Sequence, residues 1–335
     1  MNILITMPDN NLRKMVLHED SLAKLRSVGN VELNPNPKSY TPQELAEKLK
    51  TAEVCITTWG SARFTKAVLQ GSAVKLIAHA AGSVQGVVTE DVFETGVKVV
   101  SANQAFGKTV AEYNILLHLM AARRSYEIIR NTKTANAWSS NEWCVDGLLG
   151  KTVGIIGLGT ISRELIKMFK VFDTKILLYS EHCTQENAAK LGVESVPLDR
   201  LLRESDTVNV QTSLTQKSYH LLNAQRLALL KDGAIIVNVA RGPIIDETAL
   251  IKELQSKRIF AALDVYDEEP LPENHPLRTL DNVITSPHVG GKTLECRANF
   301  GVIVADDIVR FARHEPLQNQ VLVEEFRRMT QNVKK

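Results

Sequence analysis

Thr152–Phe169 reads TVGIIGLGTISRELIKMF, and this stretch decides the fold of the chain's second half. An apolar run passes directly into Gly157-x-Gly159-x-x-Ser162 and then into a helical pattern. A strand, a glycine turn and a helix in this order open a dinucleotide-binding βαβ unit, and a second apolar run, ILLY, follows about 20 residues further on. The spacing therefore predicts a doubly wound nucleotide-binding domain.

The glycine positions have separate physical roles. Gly157 permits a tight turn, and Gly159 lets the main chain approach a pyrophosphate because it has no Cβ. The amides at the start of the helix, at Thr160 and Ile161, then face the phosphate charge. Ser162 stands where Gly or Ala is usual, and it is small enough for close packing of helix on strand. The alternative interpretation is a glycine turn that binds no ligand.

The residues after ILLY bear on the choice of cofactor. The stretch reads YSEHC, with Ser180 where an acidic residue is expected to meet the ribose, and Glu181 next to it. A carboxylate at Glu181 repels a 2′-phosphate and favours NAD. Ser180 with His182 could accept that phosphate, so NADP stays open.

Apolar β-branched runs alternate with helical patterns on both sides of this stretch, which is typical of parallel sheets covered by helices. In the second half we expect strands near 152–156, 175–179, 207–210, 234–238, 260–263 and 283–285. In the first hundred residues we expect strands at 2–5, 31–33, 54–57, 75–78 and 97–100, with helices near 20–28, 42–50, 65–70 and 89–95. The predicted class is α/β, with two doubly wound Rossmann-like domains.

Two long helical patterns flank the second series of strands. Residues 109–130 carry apolar side chains all round the helix, which predicts burial in a core or against a second subunit. Residues 292–313 form the other pattern, and we expect the polar tail beyond it to fray.

The composition of the chain excludes several classes of partner and location. The 335 residues suggest two domains, and 44% hydrophobic with 23% charged residues is typical of a globular protein. The net charge of +2 is spread along the chain, so no nucleic-acid partner is expected. The start, MNILITMPDN, does not resemble a signal peptide, and no apolar run reaches the roughly 20 residues of a membrane span. Four scattered cysteines, Cys55, Cys144, Cys183 and Cys296, indicate neither disulfides nor a zinc site, and we expect no metal and a cytoplasmic location.

Three polar motifs follow predicted strand ends in the second half. They are NVARGPIID at 238–246, ALDVYDEEP at 262–270 and VITSPHVGG at 283–291. The ligand crevice of an open α/β sheet lies outside the carboxyl ends of its strands, so Arg241, Asp264, Glu269 and His288 could converge there. Each residue alone is more simply a surface or loop residue. Coincidence explains less well than a shared site why an Arg, a Glu and a His follow equivalent strand ends beside a dinucleotide fingerprint.

With these motifs the chain resembles the D-isomer-specific 2-hydroxyacid dehydrogenases over nearly its whole length. The most specific segments are LLGKTVGIIGLGTIS, NVARGPIIDETAL, AALDVYDEEPLPENHPL and NVITSPHVGG. The resemblance implies that Arg241, Glu269 and His288 are the catalytic set and that Asp264 meets the nicotinamide end of the cofactor. It also implies a flavodoxin-like substrate domain, residues 1–102 plus 291–335, and a dinucleotide-binding domain, residues 103–290. Two chain crossings between them would form a hinge.

The expected reaction needs these residue types. A guanidinium can bind the carboxylate and polarise the adjacent carbonyl of a 2-oxo acid, so Arg241 is a candidate substrate-binding residue. His288 is expected to contact the same carbonyl. Histidine can supply a proton to the carbonyl oxygen near neutral pH, and a carboxylate at Glu269 orients its ring. Further cofactor contacts are expected from Thr212, Val239, Ala240, Gly290 and Gly291.

The first domain carries the other part of the family pattern. A glycine loop after the fourth strand binds the substrate carboxylate through backbone amides, and the matching stretch is HAAGSVQG at 79–86, with Ala81, Gly82 and Ser83 as candidates. The family's HxP is replaced here by Gln211-Thr212-Ser213, and the loop lacks the usual acidic or Asn residue after its glycine. Both departures put the identity of the acid in doubt more than the reaction.

The leading hypothesis is an NAD(H)-dependent enzyme, in the form of a homodimer, acting on a small 2-oxo or 2-hydroxy acid. Two alternatives stay open. One is an NAD(H)-sensing dimeric regulator that resembles corepressors of the family, although no basic tail supports it. The other is a formate dehydrogenase-like enzyme, but that group carries Gln where Glu269 stands.

Overall fold

The computed structural model describes residues 1–134 and 145–331, and the chain folds into two compact units. Unit 1 comprises Met1–Phe106 and Lys292–Gln331, and unit 2 comprises Gly107–Gly291. Residues 332–335, which we assigned to the substrate domain, lie outside the described residues, as does Cys144.

Unit 1 is built on a five-stranded parallel sheet. Its strands are β1 (Asn2–Ile5), β2 (Asn30–Leu33), β3 (Val54–Thr57), β4 (Leu76–His79) and β5 (Lys98–Ser101). The order β2-β1-β3-β4-β5 is that of a flavodoxin-like sheet, as predicted. The helices of its first segment are α1 (Asn11–Val16), α2 (Glu19–Arg26) and α3 (Pro42–Leu49), with 3₁₀ turns at Val84–Gly86, Glu90–Thr95 and Asn103–Ala105.

The last 40 residues of unit 1 complete its core. Phe300, Val304 and Ile308 are fully buried against β1, β3 and β4. The helix that carries them is α11 (Leu294–Ala312), and α12 (Val323–Arg328) follows it. Between the two helices, Asn319–Val321 pair antiparallel with β5, with Ser101 N donating to Asn319 O at 3.1 Å.

Unit 2 contains a seven-stranded parallel sheet in the order β12-β11-β10-β9-β6-β7-β8. Its strands are β6 (Thr152–Ile156), β7 (Lys175–Tyr179), β8 (Glu194–Ser195), β9 (Thr207–Val210), β10 (Ile235–Asn238), β11 (Phe260–Leu263) and β12 (Val283–Thr285). Its helices are α4 (Phe106–Ala122, whose first residue belongs to unit 1), α5 (Ser125–Thr134), α6 (Thr160–Lys170), α7 (Gln185–Leu191), α8 (Leu198–Glu204), α9 (Ala224–Leu227) and α10 (Glu247–Gln255). The order is that of a dinucleotide-binding sheet with one strand added at the end, so the predicted fold class is confirmed.

Several predicted elements differ from the structure. The single helix expected over 109–130 is two helices, because Arg124 adopts a left-handed φ of 47° that no continuous α-helix accommodates. Residues 66–70 form turns rather than a helix. The prediction of a frayed tail was wrong for residues up to 331, since Phe326 is buried and packs on Phe93 at 5.2 Å between ring centroids.

The helix α4 packs on the core of its own unit. Ala111 is buried among side chains of β6 and α6. The buried His118 ring bonds Asn209 Oδ1 at 2.6 Å and Thr207 Oγ1 at 2.7 Å, both on β9. Burial lowers the pKa of His118 to about 4, so its ring is neutral and structural.

Candidate active site

The glycine turn follows β6 directly. Gly157 has φ 101°, and a Cβ there would lie 2.7 Å from the backbone nitrogen of Thr212. Its own amide donates to Tyr179 O at 2.7 Å. A side chain at Gly157 is excluded both by the backbone conformation and by the loop after β9, so only glycine fits this turn.

The N-terminus of α6 is open for an anion. Gly159 is the N-cap, no side chain caps the helix, and a Cβ at Gly159 would meet no atom within 4 Å. Thr160 and Ile161 supply first-turn amides, which carry the positive end of the helix dipole. Ser162 Oγ donates to Gly157 O at 2.8 Å, so serine at the third position ties the turn to the helix. The cradle therefore fits the pyrophosphate of a dinucleotide.

The end of β7 carries groups of both charges. Glu181 is exposed, and its carboxylate lies 3.8 Å from Lys217 Nζ. Ser180 Oγ accepts a hydrogen bond from the amide of His182 at 3.3 Å. Glu181 disfavours a 2′-phosphate whereas Lys217 attracts one, so the preference for NAD over NADP stays a prediction.

The loop after β10 presents Arg241. Asn238 folds its side chain over this loop: its Nδ2 donates to Arg241 O at 2.9 Å, and its Oδ1 accepts from Ala240 N at 3.0 Å. Val239, between them, is buried. Arg241 Nη1 donates to Ala240 O at 2.6 Å. Burial lowers the pKa of Arg241, partly offset by the charge of Glu269, and the guanidinium stays charged at neutral pH.

Asp264 follows β11 and holds the histidine loop. Its carboxylate is buried, and Oδ1 accepts from Ser286 Oγ at 2.7 Å and from Val289 N at 2.9 Å. Oδ2 accepts from Gly290 N at 2.8 Å. The amides of the two residues after His288 are thus fixed by one carboxylate. Beyond a role toward the cofactor, which stays a prediction, Asp264 positions this loop.

His288 and Glu269 are brought together as a hydrogen-bonded pair. His288 Nδ1 donates to Glu269 Oε2 at 2.7 Å, because a carboxylate can only accept. The other carboxylate oxygen accepts from Tyr266 N at 3.1 Å, which fixes the acid. Burial raises the pKa of Glu269, but the bond and charge of His288, the Tyr266 amide and Arg241 outweigh it and leave that pKa below its ordinary value. The pair leaves Nε2 of His288 for another partner.

The site contains residues that the sequence did not indicate. Tyr266 Oη lies 2.9 Å from both Leu263 O and Ser286 O, shares its single proton between them and accepts from Ser286 N at 2.9 Å. Asn238 clamps the arginine loop as described. Tyr113 is a further residue of this kind: its ring would lie 3.3 Å from a Cβ at the buried Gly290. Asn238 immediately precedes VARG, and Tyr266 lies within ALDVYDEEP. Their positions near strand ends were the one feature of the sequence that could have indicated a place in the site.

The predicted carboxylate loop lies in unit 1. Ala81 and Gly82 are buried, and Ser101 Oγ donates to Gly82 O at 2.5 Å and lies 3.2 Å from Ala81 O. Ser83 caps the 3₁₀ turn that follows, accepting from Gln85 N at 3.4 Å. The carbonyls are therefore turned into the unit, toward Ser101. Whether the amides bind a carboxylate stays a prediction.

His79 precedes this loop, and we expect it to be structural. Its ring is buried with Nδ1 2.9 Å from Thr57 Oγ1, and burial lowers its pKa to about 3. Across residues 1–134 and 145–331 there is no group of three His, Cys, Asp or Glu side chains arranged for a metal, and no helix long and apolar enough for a bilayer.

Comparison with known proteins decides the family. Residues 115–290 match the family model described as "D-isomer specific 2-hydroxyacid dehydrogenase, NAD binding domain". The chain is 33% identical over 305 residues to a glyoxylate reductase of Pyrococcus horikoshii, covering 89% of this chain and 91% of that one. This chain belongs to the D-isomer-specific 2-hydroxyacid dehydrogenase family.

Further similar proteins agree with this assignment. A D-3-phosphoglycerate dehydrogenase of Methanocaldococcus jannaschii is 37% identical over 323 residues, which is 96% of this chain. The chain spans 59% of the length of that relative and 47% of a second phosphoglycerate dehydrogenase that it matches. The crystal structure of the TT0316 protein from Thermus thermophilus superposes with a TM-score of 0.78 at 28% identity, covering 96% of this chain and all of that one.

Proposed function

We propose that this chain is an NAD(H)-dependent oxidoreductase that transfers a hydride between the cofactor and C2 of a small 2-oxo or 2-hydroxy acid. The observation that supports it most is the 2.7 Å bond between His288 Nδ1 and Glu269 Oε2 at strand ends of a domain that matches the family's NAD-binding domain. A histidine whose ring is held by a carboxylate can pass a proton to the carbonyl oxygen, as carbonyl reduction requires.

Arg241 is the proposed substrate clamp. The Arg241 residue is partly exposed, and Asn238 fixes its backbone. A planar guanidinium binds the carboxylate and carbonyl oxygens of a 2-oxo acid together and withdraws charge from the carbonyl. The amides of Ala81, Gly82 and Ser83 are proposed to bind the same carboxylate.

His288 is the proposed proton donor to the carbonyl oxygen through Nε2, because Glu269 already holds Nδ1–H. In the oxidation direction the neutral ring takes the proton from the hydroxyl. Glu269 fixes the ring's orientation and stabilises its positive charge in the protonated state. A bound nicotinamide cofactor supplies or accepts the hydride.

The cofactor is proposed to lie along the edge formed by the ends of β6, β7, β9, β10 and β11. Gly157, Gly159, Thr160 and Ile161 would hold its pyrophosphate. We expect the remaining contacts from Ser180, Glu181, Thr212, Val239, Ala240, Arg241, Asp264, His288, Gly290 and Gly291. NAD is the expected cofactor because of Glu181.

The proposal extends to assembly and location. Leu116 on α4 and Tyr126 and Ile129 on α5 are large apolar side chains that are 48–56% exposed, and a second copy of the chain in a homodimer would cover them. Sedimentation analysis of the purified protein measures this. We expect a cytoplasmic enzyme. The comparisons favour neither the regulator nor the formate dehydrogenase alternative.

The test is reduction of a panel of 2-oxo acids, including glyoxylate, pyruvate and hydroxypyruvate, with NADH and NADPH side by side. His288→Ala should lower turnover by about 10²–10⁴-fold and leave NADH binding intact, because it removes the proton donor. His275→Ala is the matched control, since His275 also bonds a carboxylate, that of Glu247 at 3.1 Å, but belongs to no proposed machinery. Full activity of His288→Ala, or no turnover of any acid by the wild type, would refute the proposal.

A further inference from the structure

An arginine and three aromatic rings form a cluster in unit 1, which we call the Trp59 cluster: Trp59, Phe106, Arg297 and Phe300. The ring centroids of Phe106 and Phe300 lie 5.0 Å apart, and Trp59 lies 5.5 Å from Phe300 and 6.3 Å from Phe106. Phe300 is fully buried, whereas Trp59 is 41% exposed. The cluster therefore runs from the core of unit 1 to its surface.

Arg297 lies on the aromatic rings from the first turn of α11. Its Cζ is 4.7 Å from the centroid of Trp59 and 5.7 Å from that of Phe300. Contact of a guanidinium with an indole face is attractive, and it fixes the cation without using its N–H donors. The Trp59 cluster thus holds a positive charge in a defined place.

The guanidinium of Arg297 has an uncompensated donor. Its Nη1 is buried and has no hydrogen-bond partner, and no carboxylate lies within 4 Å of the group, among residues 1–134 and 145–331. By contrast, the half-buried Arg310 of the same helix has a carboxylate partner, Asp307 at 3.4 Å. Burial lowers the pKa of Arg297, as expected for a cation without a counter-charge. A buried donor of this kind costs free energy that an anion would recover.

The Trp59 cluster adjoins the proposed carboxylate loop. Gly82 packs so closely on Phe106 that a Cβ would lie 2.9 Å from the Phe106 ring. Phe106 in turn contacts Trp59 and Phe300, and Cys296 Sγ lies 3.6 Å from Ala105 O. A ligand whose carboxylate sits on the loop would extend along these rings toward Arg297.

We propose that Arg297, supported by Trp59, binds a second anionic group of the substrate, so that the preferred 2-oxo acids carry a carboxylate or a phosphate at the end remote from C1. This rests on the proposed function. A guanidinium donates two parallel hydrogen bonds to either group, and the exposed face of Trp59 packs on the carbons between the two ends.

The test compares acids of matched length with and without the second charge. The pairs are oxaloacetate with 2-oxobutyrate, 2-oxoglutarate with 2-oxopentanoate, and 3-phosphohydroxypyruvate with hydroxypyruvate. In at least one pair the wild type should have a higher kcat/KM for the charged member. The pair that shows this preference identifies whether the second anionic group is a carboxylate or a phosphate. Arg297→Met should abolish that preference, a loss of roughly 10–100-fold, and change the neutral member little. Preference for every neutral member, or equal slowing of both members, would overturn the inference.

Two further variants keep the test decisive. Arg313→Met removes the same charge from an exposed arginine after the last turn of α11, and it should leave the ratio unchanged. An equal loss in Arg313→Met would mean long-range attraction rather than a site. Arg297→Lys keeps the charge but loses the planar fork, so it should lose part of the preference even if Arg297→Met does not fold.

A binding measurement separates this inference from the proposed function. D-2-hydroxyglutarate and D-2-hydroxypentanoate, or phosphoglycerate and glycerate, are titrated calorimetrically into the cofactor-free full chain. If no 2-oxo acid is reduced, the dehydrogenase proposal fails. If the wild type then binds the charged ligand more tightly than the neutral one, and Arg297→Met abolishes this difference in affinity, the anion site is still supported. If wild type and variant bind the charged ligand equally, the anion site is refuted.

Discussion

Replacing Asp264 by asparagine should loosen the loop that carries His288. The wild-type carboxylate accepts from two backbone amides and one hydroxyl, at 2.7–2.9 Å. An asparagine has one acceptor oxygen and one NH₂ group. In either orientation of the amide, the NH₂ group faces the backbone N–H of Val289 or of Gly290, so at least one buried N–H loses its acceptor.

The magnitude follows from those bonds. A hydrogen bond to a charged group contributes about 1.5–3 kcal/mol, and a buried N–H left unpaired costs a similar amount, so we expect a loss of about 3 kcal/mol. His288 adds to this, because its φ of 52° is disfavoured for a non-glycine residue and is maintained by the amides that follow it. Once released, the loop can relax toward a negative φ and move His288 away from Glu269.

Hydrogen exchange measures this loss at the loop itself. A local destabilisation of about 3 kcal/mol corresponds to roughly 150-fold faster exchange of the Val289 and Gly290 amides. Turnover should fall with it. Ser286→Ala is the matched control: it removes one hydroxyl donor to the same carboxylate but leaves both loop amides paired, so it should cost only about 1.5 kcal/mol. Exchange in Asp264→Asn that is no faster than in Ser286→Ala would refute the assignment of Asp264 as the anchor of the loop.

Two other predictions concern the acid and the glycine turn. Glu269→Gln should lower turnover about 100-fold in steady-state assays with NADH affinity unchanged, since the ring of His288 loses its charged partner. The pKa of Glu269 is lowered on folding, so its carboxylate stabilises the protein above the ordinary value of 4.5 and loses that effect as the pH falls through the folded-state pKa. The difference in unfolding free energy between wild type and Glu269→Gln should therefore shrink as the pH falls below the ordinary value of 4.5 in urea denaturation, and a constant difference would contradict it. Gly157→Ala should lower the Tm, whereas Gly159→Ala should fold normally but bind NADH more weakly in fluorescence titration; equal Tm values for the two variants would contradict the clash at Thr212.

Much of the fold follows from local pattern. The strands β6, β7, β9 and β11 lie where apolar β-branched runs place them, because a strand buried on both faces needs continuous apolar sequence. The edge strand β8 was missed, since Glu194–Ser195 is short and polar. The break at Arg124 was missed because a reversal of φ leaves the hydrophobic pattern on either side intact. The ordered tail depends on isolated apolar residues such as Phe326, which no periodicity reveals.

The candidate site divides in the same way. Arg241, Glu269 and His288 could be named from sequence because each follows a strand, and parallel strands end at one edge of the sheet. Their partners could not, since the contacts of Asn238 and Tyr266 depend on the path of each loop. Arg297 was missed for a related reason: what distinguishes it is a buried Nη1 without a hydrogen-bond partner on an arginine packed against aromatic rings, and a sequence does not show spatial neighbours.

The return of the chain to unit 1 has a consequence for its synthesis. The sheet of unit 1 is complete in sequence at Ser101, but the helix that buries one of its faces starts only at Leu294. At about 5–20 residues per second, the ribosome needs roughly 10–40 s to bridge that interval. Unit 2 is continuous in sequence and can fold meanwhile, whereas the apolar face of the nascent β1–β5 sheet is covered only in part, by α1 and α2. The segment that forms β1–β5 is thus completed only after unit 2 has been synthesised, and until then its uncovered apolar side chains are accessible to a chaperone.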